Sequence, residues 1–131
     1  MIEFLIFHLI LKVGNTAKGH DVNKTDKNCG KKAPIHFAIF ENKPEVVKLL
    51  VDSGANVNIK EKFGFTPLHI SAGEGLTKVT QILLENGAEV DVKVSDGETP
   101  IGHAAMYGHT EDADLLIKYG ANGKYHLRSI R

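Results

Sequence analysis

Apolar residues recur through most of this chain in short clusters at helical spacing, and each cluster is closed by a glycine or a small polar residue. The stretch from Thr66 to Asp91, TPLHISAGEGLTKVTQILLENGAEVD, shows the pattern most fully. Leu68 and Ala72 supply the apolar side of a first short helix, and Val79, Ile82, Leu83 and Leu84 cluster on the buried face of a second. Thr66 suits a helix N-cap because its hydroxyl can accept from an orphan backbone N–H, and Pro67 fits the first helical position, where a missing donor costs nothing. Gly75 ends the first helix, Thr77 is expected to cap the second, and Gly87 follows the last turn, where left-handed backbone is wanted. The polar segment from Val92 to Glu98 then reaches out as a hairpin-like finger before the next threonine.

The same unit stands on both sides at a step of 33 residues: TPIGHAAMYGHTEDADLLIKYGAN from Thr99 and APIHFAIFENKPEVVKLLVDSGANVN from Ala33. Pro34, Pro67 and Pro100 keep that step, as do Gly54, Gly87 and Gly120. A fixed period of this size means stacked units, each too small to bury its apolar face alone. Ala33 lacks the capping hydroxyl, and Asn42 replaces the glycine at the first turn with a residue that tolerates left-handed geometry. Gly102 replaces the histidine of the third unit, and Asp112 stands where the others have Val46 and Val79. A charge at a stacking position predicts that no further unit packs there, which makes the third unit a terminal cap.

Thr66-Pro67-Leu68-His69, followed by two short helices, Gly87-Ala88 and a 33-residue period, resembles the ankyrin-repeat family over residues 24 to 122. The resemblance implies an all-α solenoid of helix-turn-helix units with hairpin-like fingers: repeats at 24–58, 59–91 and 92–122, the last a C-terminal cap. Residues 1–23 would form an apolar helix and loop belonging to a partial or capping repeat, and 123–131 a partly disordered tail. Between Ile2 and Val13 only Glu3, His8 and Lys12 interrupt a run of large apolar residues, too short for a membrane span of about 20 residues. Such a helix would keep apolar surface after docking, so this segment belongs to a longer array or meets a partner or a second copy. The finger between Asn23 and Ala33 is two residues longer than its counterpart between Asn58 and Thr66, and rich in lysine.

Sixteen basic residues balance sixteen acidic ones, which removes the electrostatic footprint of a general nucleic-acid binder and weakens a membrane-surface reading. The single cysteine, Cys29, allows no intrachain disulfide and points to a reducing compartment such as the cytoplasm. No catalytic, cofactor or metal site is read from the sequence: the histidines form no H-x-x-H spacing, and neither a phosphate-binding loop nor a nucleophile turn is present. By the resemblance, His36 and His69 hydrogen-bond the turn. Asn58 after Leu50, and Asp91 after Leu83, have the spacing at which ankyrin repeats can be hydroxylated, against the plainer reading as ordinary hairpin residues.

Recognition remains as the function. The resemblance implies a non-enzymatic adaptor, scaffold or inhibitor that binds a protein partner on the concave surface made by fingers and first helices. The positions on that surface are Phe40, Glu41, Lys62, Phe63, Phe65, Glu74, Ser95, Asp96, Glu98, Met106 and Tyr107. Phe63 and Phe65, flanking Gly64, either anchor a partner or pack on the neighbouring fingers. The alternative from another class is a self-associating structural fragment joined through residues 2–13.

Overall fold

The computed structural model describes residues 22–121. The apolar segment 2–13 and the tail 123–131, with the expectations set on them, lie outside the described residues. Within the described chain three helix pairs follow one another: α1 (Pro34–Phe40) and α2 (Pro44–Asp52), α3 (Pro67–Glu74) and α4 (Thr77–Glu85), α5 (Pro100–Met106) and α6 (Thr110–Lys118). The chain's four prolines all stand at first helical positions, where fixed φ helps and no donor is lost. The first helix of the middle pair, α3, packs on α1 and α5, while α4 packs on α2 and α6, so two parallel ladders of helices make an all-α stack. Among the described residues no β-strand occurs, and the fingers are closed loops rather than sheet.

The caps follow the side chains available. Thr66 Oγ1 accepts from His69 N at 3.3 Å and Thr99 Oγ1 accepts from Gly102 N at 3.3 Å, whereas Ala33 offers no such acceptor. The turn inside each pair needs one left-handed residue. Asn42 (φ 50°), Gly75 (φ 72°) and Gly108 (φ 77°) provide it, so asparagine serves where glycine stands in the other two units. Thr77 departs from expectation. It is the first residue of α4 rather than its cap, and its hydroxyl is turned toward the third unit.

Burial explains the stacking. Ile35, Ile39, Leu50, Leu68, Leu83, Ile101 and Leu116 are fully enclosed and come from first and second helices of every unit. Each contributes roughly 1.5–3 kcal/mol of transfer free energy, which no single short helix could collect alone.

The second and third units meet through a different chemistry. Asp112 is buried, and its two carboxylate oxygens accept from Thr77 Oγ1 at 2.6 Å and Thr80 Oγ1 at 2.7 Å. Ser71 Oγ lies 2.9 Å from Thr80 Oγ1 and also donates to the Leu68 carbonyl at 3.3 Å. The place of Asp112 in the first turn of α6 adds the favourable field of the helix N-terminus. The expectation that Asp112 marks an unstacked outer face is therefore corrected: its carboxylate points back into the stack and joins repeat three to repeat two.

Candidate functional site

Each finger is pinched shut by one backbone hydrogen bond between its ends: Asp26 N to Lys32 O at 2.9 Å, Glu61 N to Phe65 O at 3.0 Å, and Val94 N to Glu98 O at 2.9 Å. The first loop takes up its two extra residues in a 3-10 turn, Lys27–Cys29, capped by the Asp26 carboxylate. Fingers are tied to one another as well. Lys62 N donates to Gly30 O at 2.8 Å, and both Ser95 N and Ser95 Oγ donate to Phe63 O, at 3.3 and 2.8 Å. The three tips therefore form one continuous edge beside the first helices.

Below that edge the histidines fix the fingers to the helices. His69 Nε2 donates to the Glu98 carbonyl at 3.0 Å, which leaves Nδ1 as the acceptor for Thr66 Oγ1 at 2.8 Å and Thr66 N at 3.3 Å. Burial pushes its pKa down to about 4, although the Glu98 carbonyl favours the charged ring. His36 repeats half of this arrangement: Nδ1 accepts from Ala33 N at 2.9 Å, while Nε2 reaches no partner within hydrogen-bond distance. Burial likewise lowers its pKa.

The anticipated site residues separate into groups. Phe40 (50% exposed) ends α1 with Lys32 Nζ 5.8 Å from its ring centroid, and Phe63 (56%) tips the second finger with Lys62 Nζ at 5.5 Å. Met106 (50%) and Tyr107 (61%) close α5. Glu74 is exposed at the end of α3, and Glu41 is half-buried at the end of α1. Ser95 and Asp96 are exposed on the third finger, Asp96 accepting from Glu98 N at 3.2 Å, while Glu98 is half-buried.

Phe65 stands apart. It is half-buried, with its ring 6.0 Å from that of His69 and 5.3 Å from that of His103, so of the two readings left open, packing holds for Phe65 and exposure for Phe63. Glu61 is a residue the sequence reading missed. Buried at the base of the second finger, its Oε1 accepts from Phe63 N at 2.6 Å and Phe65 N at 3.0 Å, so the exposed and the half-buried phenylalanine share one acceptor. The available signal was an acidic residue two places before the tip, the spacing at which side chains mimic a turn.

Asn58 Oδ1 accepts from Glu89 N at 2.7 Å and its amide donates to Gly87 O at 3.3 Å. Asn23 does the same one repeat earlier, with Asn56 N at 2.7 Å and Gly54 O at 3.3 Å. Cys29 is exposed, and its hydrogen bond to Asp26 raises the thiol pKa. Among the described residues no cluster of His, Cys, Asp or Glu could hold a metal ion, and no helix is long and apolar enough to cross a membrane.

Stacked helix pairs with a tied row of loop tips define a repeat scaffold of the helical solenoid class. A family profile described as ankyrin repeats (3 copies) matches residues 3–94 and again 35–126, and the chain belongs to the ankyrin-repeat family. Over 33 residues it is 52% identical to a putative ankyrin repeat protein of Rickettsia bellii (strain RML369-C). That match covers 25% of this chain and 5% of the relative's length. Ankyrin repeats are generally protein-protein interaction modules and typically carry no catalysis.

Proposed function

We propose that this chain is a non-enzymatic interaction module, an adaptor, scaffold or inhibitor, that binds a protein partner on the face made by its fingers and first helices. The observation that carries the reading is where large apolar surface remains in water. Phe40, Phe63, Met106 and Tyr107 are more exposed than any other large apolar side chain described, and all four belong to the second finger or to the ends of first helices. The core does not need them, whereas exposed aromatic anchors on a rigid support are the usual hot spots of an interface. The ties between fingers support it further, because a preformed surface loses little conformational freedom on binding. A single exposed cysteine suits a reducing compartment, and we place the module in the cytoplasm.

The test is a pull-down from lysate of the source cell with the wild-type chain and with a Phe40→Ala, Phe63→Ala variant of matched melting temperature. One protein captured reproducibly by the former and lost from the latter is the expected result. Identical captures by both would overturn the assignment of this face.

A further inference from the structure

Phe40, Gly73 and Met106, at the ends of the three first helices, are equivalent by the repeat, as are Glu41, Glu74 and Tyr107 that follow them. Two large apolar side chains, each half exposed, thus stand on either side of a residue with no side chain. Nothing in the backbone requires glycine at Gly73. It lies within α3 without a positive φ, and the left-handed residue that ends the helix is Gly75. Crowding does not require it either, since an added Cβ would meet His103 Cβ and Nδ1 at 3.6 Å and Tyr107 Cδ2 at 3.9 Å, ordinary contacts. Glycine inside a helix costs up to about 1 kcal/mol relative to alanine. What that glycine leaves free is the space beside the His103 and Tyr107 side chains that a side chain at this position would occupy.

Charge supplies the second observation. Lys24, Lys27, Lys31 and Lys32 belong to the first finger and Lys60 and Lys62 to the second, and the Lys62 N to Gly30 O bond joins the two into one edge. The carboxylates among them are turned onto backbone: Asp26 accepts from Asn28 N at 2.8 Å, and the buried Glu61 serves Phe63 and Phe65. Lys32 Nζ also donates to the Cys29 carbonyl at 3.2 Å, which holds it near Phe40. At the far end the third finger carries Lys93, Asp96 and Glu98. The fingers therefore grade from basic in repeat one, through mixed in repeat two, to slightly acidic in repeat three, with Glu41 and Glu74 at the ends of the first helices beside them.

We infer that this face takes an extended segment of a protein partner, with acidic residues along the first two fingers and one large apolar side chain in the space over Gly73 between Phe40 and Met106. The inference rests on the proposed binding face and specifies its partner. Adjacent helices stand about 8–10 Å apart and an extended chain advances about 3.3 Å per residue. An acidic side chain opposite Lys32 therefore falls roughly three residues from the apolar one over Gly73. Complementary charge orients the segment and speeds its capture, and the buried side chain supplies affinity.

A phage-displayed library of random linear peptides, panned on the full chain, is the probe. Expected binders carry an acidic residue about three places from a large apolar one. They should lose about tenfold or more in affinity against Gly73→Met, a residue already tolerated at the equivalent Met106, and weaken as salt rises. Gly73→Ala, whose methyl meets only ordinary contacts, should give a smaller loss with no fall in melting temperature. A Lys31→Glu, Lys32→Glu, Lys62→Glu variant should abolish the acidic preference. Binders that bind Gly73→Met as tightly as wild type, or that carry no acidic residue, overturn this inference and leave the binding face standing. A library that yields no binder overturns both.

Discussion

Asp112 of the third repeat accepts a 2.7 Å hydrogen bond from Thr80 of the second, and both residues are buried. At the corresponding place between repeats one and two the chain has Val79 and Val47, both fully enclosed. One stacking interface is thus apolar and the next polar at equivalent positions. A buried carboxylate with two hydroxyl donors is tolerated because its hydrogen bonds replace those of water.

The exchange can be undone in steps. Thr80→Val leaves Asp112 with Thr77 alone and should cost roughly 1.5–3 kcal/mol, the scale of a hydrogen bond to a charged group. Thr80→Val with Asp112→Val rebuilds the apolar pair and should recover most of that loss, since replacing both partners is often neutral. Urea melts of the wild type, both singles and the double would show it as a coupling energy. Additive losses would mean that the two residues do not act as a pair.

Ala33 is the place where stability can be gained. Thr66 and Thr99 occupy the equivalent buried positions and cap their helices with the hydroxyl that Ala33 lacks. Ala33→Thr should stabilise by about 1 kcal/mol and raise the melting temperature by several degrees. An unchanged or lower melting temperature would show that the first unit closes around alanine too tightly.

The buried histidine sets a pH dependence whose sign is fixed by its environment. His69 in the folded chain has a pKa near 4, below its unfolded value of about 6.5. Above pH 7 the ring is neutral in both states and contributes no slope. As pH falls from about 6.5 toward 4 the unfolded chain takes up a proton that the folded ring does not, so stability declines by about 3 kcal/mol across that window and then levels for this group. His36 moves the same way. In an NMR titration the His69 ring resonances should stay fixed between pH 7 and 5; a midpoint near 6.5 would contradict the buried, fully bonded ring.

The stacked fold was readable because its period is written three times, and a departure such as Asn42 could be interpreted against the other two units. Directions across the period were not readable. Thr77 and Asp112 are 35 residues apart, and each looked ordinary within its own unit, one as a cap and the other as a surface charge. Only stacking shows that they meet. Phe63 and Phe65 posed the opposite difficulty, since two similar rings flank one turn glycine and local pattern gives no reason to separate them. Glu61 accepts from both amides, and those partners are set by the finger's closure rather than by any helical or strand period.

Glu61 therefore offers a direct handle on the binding edge. Its one oxygen holds the amides of Phe63 and Phe65, and without it both donors turn to water while the finger keeps its internal Glu61 N to Phe65 O and Gly64 N to Glu61 O bonds and its ties to the neighbouring fingers. Glu61→Ala should weaken the finger by roughly 1.5–3 kcal/mol, felt as local opening more than as global unfolding. Hydrogen exchange at Phe63 and Phe65 should accelerate by tenfold or more, about 1.4 kcal/mol per decade, with Leu68 and Leu83 amides little changed. Glu61→Gln, which keeps a neutral acceptor, should fall between the two. Unchanged exchange at both phenylalanine amides in Glu61→Ala would mean that the backbone bonds alone hold the finger tip, and that the carboxylate adds nothing to them.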